Sequence, residues 1–139
     1  MHILMADDDK DDYLFLKEAA EKAGEPLQVS YAANWLELWR FIIKTIPDLL
    51  FLDINMPVKD GIECLQLLRQ ERKYDNIPIL IYSTSVNKSD IDKAYQNGAN
   101  YFIVKPNAIE DITNIIKRLI SMSKDALLSV PSREDFVIV

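Results

Sequence analysis

Four short apolar runs in this sequence each lead into residues that can do chemistry. Residues 2–6 run into Asp7-Asp8-Asp9, Leu49-Leu50-Phe51-Leu52 into Asp53, residues 79–82 into Ser83-Thr84, and residues 101–104 into Lys105-Pro106. Carboxylates gathered in one place repel one another and favour a bound cation. Hard oxygen donors with few neutral ligands suit Mg²⁺, which keeps several waters and binds through one or two carboxylates plus phosphate oxygens. With that charge neutralised, a phosphoryl group can enter an otherwise negative pocket, met by the Lys105 ammonium and the Ser83 hydroxyl. A carboxylate attacking phosphorus gives an acyl phosphate, the covalent strategy of aspartyl-phosphate ATPases. Beyond that step the protein needs mainly positioning and charge neutralisation.

This chemistry requires four distant segments to meet, so the elements that carry them matter. Residues 2–6 read as a strand. A helix is expected from Asp11 or Asp12, where Asp caps free N–H groups and suits the positive helix end. Phe15, Leu16, Ala19, Ala20 and Ala23 give it one apolar face, and Gly24 and Pro26 end it. Leu27 to Tyr31 reads as a second strand, and Asn34 as the cap of a helix from Trp35 to about Thr45. The run 49–52 is apolar throughout, as in a strand buried on both faces. A helix from about Ile62 to Arg72, a strand from Ile79 to Tyr82, a helix capped by Ser89, a strand from Tyr101 to Val104 and a last amphipathic helix after Pro106 follow. Strand and helix alternate five times, which argues for a parallel sheet with helices on both faces. Ligands of open parallel sheets sit beyond the carboxyl ends of the strands. The three acids, the hydroxyl and the lysine are therefore expected at one edge.

The bulk properties agree. At 139 residues the chain suits one domain, and 49% hydrophobic with 27% charged residues excludes a disordered class. A net charge of −6 with no run of Lys and Arg argues against nucleic-acid binding. Cys64 is the single cysteine, with no disulfide or metal-ligand partner, and His2 the single histidine, which cannot build a His-based metal site. The amino terminus lacks the basic start and long apolar stretch of a signal peptide. No segment approaches the roughly 18 apolar residues of a membrane span. A cytoplasmic protein without membrane contact is expected.

The segments Ile3-Leu4-Met5-Ala6-Asp7-Asp8, Leu52-Asp53-Ile54-Asn55-Met56-Pro57-Val58-Lys59-Asp60-Gly61 and Val104-Lys105-Pro106 resemble the signature of response-regulator receiver domains. The likeness covers roughly residues 2–122, leaving 123–139 as a C-terminal extension too short for an effector domain. It implies a flavodoxin-like α/β fold: five parallel strands in the order 2-1-3-4-5 with five helices in three layers, an order for which a receiver is itself a standard example. The resemblance also implies roles. Asp53 is the phosphoacceptor. Asp8 and Asp53 bind Mg²⁺ through carboxylate oxygens, Asn55 through its backbone carbonyl and Asp7 through water. Lys105 pairs with the phosphoryl group, and Ser83 and Phe102 occupy the switch positions. Thr84 departs from the family, which usually has a smaller residue there, and this bears on dephosphorylation. The implied donor is a phosphohistidine on a sensor histidine kinase or a histidine phosphotransfer protein. Output then passes through binding of a protein target or through onward phosphotransfer.

Other readings compete. Asp7, Asp9, Asp11 and Glu18 have the spacing of a calcium-binding EF-hand loop, but Asp12 replaces its turn glycine. Asp7-Asp8-Asp9 is also similar to the nucleophile motif of haloacid-dehalogenase-like phosphatases, but Asp11 stands where that family has Thr or Val. A phosphorylation-independent interaction module on the same fold is a further alternative. Trp35, Trp39 and Ile43 form one apolar stripe, Leu38 and Ile42 another; these are core, or one of them is a docking or homodimer surface. The tail Phe136 to Val139 adds a strand, pairs between subunits, or frays.

Overall fold

The computed structural model describes residues 1–138. A parallel sheet is built from β1 (His2–Ala6), β2 (Gln28–Ala32), β3 (Leu49–Leu52), β4 (Ile79–Ser83), β5 (Tyr101–Val104) and β6 (Val137–Ile138), in the order β2-β1-β3-β4-β5-β6. The helices are α1 (Lys10–Lys22), α2 (Trp35–Ile42), α3 (Gly61–Arg69), α4 (Lys88–Gln96), α5 (Ile109–Ser121) and α6 (Lys124–Leu128). A 3₁₀ turn at Arg72–Tyr74 replaces the expected last turn of α3.

Two cores lie on opposite faces of the sheet. Side chains alternate along a strand. Leu4, Ala6, Leu50, Leu52, Ile79, Ile81 and Phe102 therefore meet α2, α3 and α4. Their neighbours Ile3, Met5, Leu49, Phe51, Leu80, Tyr82, Tyr101 and Ile103 meet α1, α5 and α6. All four residues of β3 are buried, as expected for a central strand covered on both sides.

The expectation of five strands and five helices needs correction. The extension contributes both additional elements. Ser123 caps α6 by accepting from Ala126 N–H, and Leu127 buries against the α1–α5 side. The chain then crosses to the free edge of β5, where Phe102 pairs with Val137 and Ile103 with Ile138. Of the three outcomes open to the tail, strand addition is the one found; Val139 lies outside the described residues.

Cap chemistry explains the shifts at helix ends. Asp9, not Asp11 or Asp12, caps α1 by accepting from Asp11 N–H, so the helix begins at Lys10. Asn87 rather than Ser89 caps α4. Asp60 and Glu63 form a reciprocal capping box that starts α3 at Gly61. In α2, Leu38 and Ile42 are core. Trp35 and Trp39 are half-buried and stacked at 5.5 Å, with Trp39 edge-on to Tyr74, while Ile43 is exposed.

Candidate functional site

Register brings the acids together. Ala6 pairs with Leu52, so Asp7 and Asp53 are the next residues on adjacent strands. Asp7 N–H donates to Ala32 O at 3.0 Å and Asp53 N–H to Ala6 O at 2.9 Å, holding both just past the strand tips. On the other side Ser83 pairs with Val104, and Lys105 N–H donates to Ser83 O at 2.9 Å. Asp7 is fully buried, Asp53 is nearly so, and Asp8 is exposed. One carboxylate oxygen from each of the three lies within 4.8 Å of the others. The EF-hand reading ends here, because Asp9 caps α1 by accepting from Asp11 N–H and the helix begins at Lys10, inside the span that a calcium loop would need.

Lys105 closes the group from the β5 end. Its Nζ donates to Asp7 Oδ2 at 2.9 Å and to Asp12 Oδ2 at 2.7 Å, and stands 3.7 Å from Asp53 Oδ1. The same ammonium lies 5.6 Å above the ring of Tyr82. Asp53 Oδ1 is thus buried with no hydrogen-bond partner. An ionised oxygen in that situation is costly unless a cation or a new bond reaches it. Asp12 is a participant that sequence reasoning took only as a helix-end charge. Its position in the first turn of the helix that leaves the site was the available signal.

The charges follow from this packing. Burial pushes the Asp53 carboxyl up to about 7; the charge of Asp7 adds to this, while Lys105 and the Asn55 N–H oppose it. Burial also raises Asp7, against the pull of Asp9 N–H and Lys105. Burial alone lowers an ammonium, but the hydrogen bonds from Lys105 to Asp12 and Asp7 and the nearby Asp53 outweigh it, so Lys105 is held above its usual range.

The remaining predicted residues surround this cluster. Asn55 is exposed in the β3–α3 loop, with the Asp53–Ile54 backbone packed against Gly61. A Cβ on Gly61 would overlap the carbonyl oxygen of Asp53, so only glycine fits there. Ser83 is fully buried, and its Oγ accepts from Ser85 N–H at 3.2 Å. Thr84 is exposed and Pro106 half-buried. Phe102 is fully buried on the α2–α3–α4 side, packed against Phe136 of the tail. Cys64 is buried in α3, and burial together with Asp60 and Glu63 pushes its thiol up to about 12, which disfavours the nucleophilic thiolate.

The family pattern described as the response regulator receiver domain matches residues 3–117. This chain belongs to that family. The chemotaxis protein CheY homolog of Campylobacter jejuni is 31% identical over 107 residues, covering 76% of this chain and 82% of that protein. Among solved structures, the phosphorylated cyanobacterial phytochrome response regulator RcpA is similar with a TM-score of 0.77 at 28% identity, covering 85% of this chain and 89% of that one. The response regulator RPA3017, from red light signaling of R. palustris, has a TM-score of 0.80 at 27% identity, covering 94% and 98%. As a receiver, the chain is a phosphoacceptor module of two-component signalling with the flavodoxin-like parallel α/β fold, which excludes the haloacid-dehalogenase-like phosphatase reading. Its acidic cluster suits a divalent cation: the side-chain donors are all carboxylate oxygens, and Asp53 contributes a buried oxygen with no hydrogen-bond partner. Among the described residues no helix is long and apolar enough to cross a membrane.

Proposed function

We propose that Asp53 accepts a phosphoryl group from a phosphohistidine of a sensor histidine kinase or histidine phosphotransfer protein, in a Mg²⁺-dependent reaction. The observation that carries this is the partnerless, buried Asp53 Oδ1, beside two further carboxylates and an ammonium 3.7 Å away. The phosphorylated state of RcpA, 28% identical, supports the same reading. Asp7, Asp8, Asp53 and the Asn55 carbonyl would hold the ion, which when bound neutralises the acids and the phosphoryl oxygens.

In the forward step a carboxylate oxygen of Asp53 forms a bond to phosphorus while the phosphorus–nitrogen bond to the donor imidazole breaks. The bonding pair remains on that nitrogen, and a proton from solvent neutralises it. Lys105 meets the phosphoryl charge. Ser83 turns its hydroxyl from Ser85 N–H to a phosphoryl oxygen, a charge-assisted bond contributing about 1.5–3 kcal/mol. That suffices for a roughly tenfold to hundredfold shift between two conformations. Phe102 follows Ser83, and because Phe136 packs on Phe102 the change reaches the tail, where a protein target or a second copy reads it. Autodephosphorylation reverses the loading: water bonds to phosphorus, the bond to Asp53 breaks, and inorganic phosphate leaves. Thr84, exposed and next in the chain to Ser83, sets access for that water.

The test is incubation with a small phosphodonor and Mg²⁺ followed by intact mass and peptide mapping. One added phosphoryl group on wild type, located at Asp53 and lost in Asp53→Asn or with chelator, is the expected result. Equal loading of Asp53→Asn would refute the assignment, and unaltered partner affinity after loading would favour a phosphorylation-independent module.

A further inference from the structure

Lys105 has three donors and spends two on carboxylates that are not the proposed acceptor. The shorter of the two bonds, 2.7 Å, goes to Asp12 on α1. The side chain of Asp12 is 29% exposed, so burial does not confine it to the pocket; its ion pair with Lys105 draws it in. Asp53, by contrast, is left at 3.7 Å with an unsatisfied oxygen. The lysine is therefore displaced toward the α1 side of the pocket.

We propose that Asp12 is a positioning residue that holds Lys105 off Asp53, so that Lys105 moves fully onto a phosphoryl group at Asp53 by exchanging the Asp12 carboxylate for a phosphoryl oxygen. The inference rests on Asp53 being the acceptor. One charge-assisted bond replaces another, so Lys105 contributes to the phosphorylated state only the difference between them. Asp12 sets that difference. It biases the receiver toward its unphosphorylated form without touching the acceptor or the ion.

Removing the Asp12 charge frees Lys105 and also lessens direct repulsion of an anion at Asp53. Both tighten anion binding, and a double-mutant cycle separates them. The probe is beryllofluoride, a phosphoryl mimic, at fixed Mg²⁺, with bound fluoride read by ¹⁹F NMR. Asp12→Asn is expected to bind about tenfold tighter than wild type, the loss of one partly exposed charged competitor. Asp12→Glu, which keeps the charge, should stay near wild type. In a Lys105→Met background the gain from Asp12→Asn should shrink below about threefold. Affinity of Asp12→Asn equal to or weaker than wild type overturns the inference, as does an equal gain with and without Lys105. If Lys105→Met binds too weakly to measure, a crystal structure of Asp12→Asn decides. Lys105 Nζ within hydrogen-bond distance of Asp53 supports the inference, and Nζ still bonded to Asp7 alone overturns it. Failure of wild type to bind the mimic, or equal binding by Asp53→Asn, refutes the acceptor reading itself and is thereby distinguishable.

Discussion

The rings of Phe102 and Phe136 lie 6.4 Å apart, and Phe102 N–H donates at 3.0 Å to the carbonyl oxygen of Phe136. Phe136 is fully buried and also stands edge-on to Tyr95 of α4 at 4.9 Å. Tyr95 Oη–H donates to Pro131 O at 2.9 Å, and Arg133 pairs with Asp92 at 2.7 Å. The aromatic packing dominates, because the ion pair is exposed and contributes little. Phe136→Ala is expected to lower stability by about 3–5 kcal/mol in urea unfolding. A loss under about 1 kcal/mol would show that the tail is not seated on β5 and α4.

Asp53 gives the receiver a pH dependence in the absence of divalent ions. Its carboxyl is held up to about 7, against 3.8 for an unperturbed Asp. The native state therefore binds this proton more tightly than the unfolded chain. The associated stability is complete below about pH 3.8 and is lost as pH rises through about 7. With chelator present, Asp53→Asn should become progressively more stable than wild type between pH 4 and 8, by up to about 4 kcal/mol. Added Mg²⁺ should narrow the gap at pH 8. Parallel thermal-stability profiles for the two proteins would contradict this account.

Gly61→Ala should be severe although Gly61 is not itself among the proposed ligands. The new methyl group overlaps the Asp53 carbonyl oxygen, which is backbone and cannot swing aside. A loss of about 3 kcal/mol is expected, together with weakened Mg²⁺ binding because the Asp53–Asn55 backbone shifts. Calorimetric titration with Mg²⁺ reads the second effect; full metal affinity in the variant would show that the loop relaxes elsewhere.

Val58 is the only non-glycine residue with positive φ among the described residues, at 67°, and it is 98% exposed. Lys59 N–H closes back on Pro57 O at 2.8 Å, a γ-turn that strains a β-branched residue. Val58→Gly should stabilise the protein by about 1 kcal/mol, strain relief outweighing the added freedom of the unfolded chain. A drop in melting temperature would mean that the Val58 side chain makes contacts worth more than the strain.

β1, β3, β4 and β5 were legible because each ends where apolar residues give way to Asp7, Asp53, Ser83 or Lys105, and that same boundary marks the site. Asp12 was legible only as a residue of the first turn of α1, close to the site. Its bond to Lys105 depends on the rotation of α1 relative to β5, and local spacing carries no information about that. α6 was hidden because five residues are too few to show a helical period. The apolar character of Phe136 to Ile138 was visible, but its pairing depends on the edge of β5 being open to it. The first turn of α1 moved because Asp9, just before the expected caps Asp11 and Asp12, can cap as well as they can, and only backbone geometry chooses among the three.

The sixth strand also decides how this sheet can be extended. Among the described residues β6 is two residues long and lies beside β5 at one margin of the sheet, so the described part of that margin offers little backbone to an incoming peptide. β2, five residues long, forms the opposite margin. Among the described residues the longer margin open to main-chain pairing with an extended ligand is therefore that of β2, at the opposite end of the sheet from β5 and Phe102.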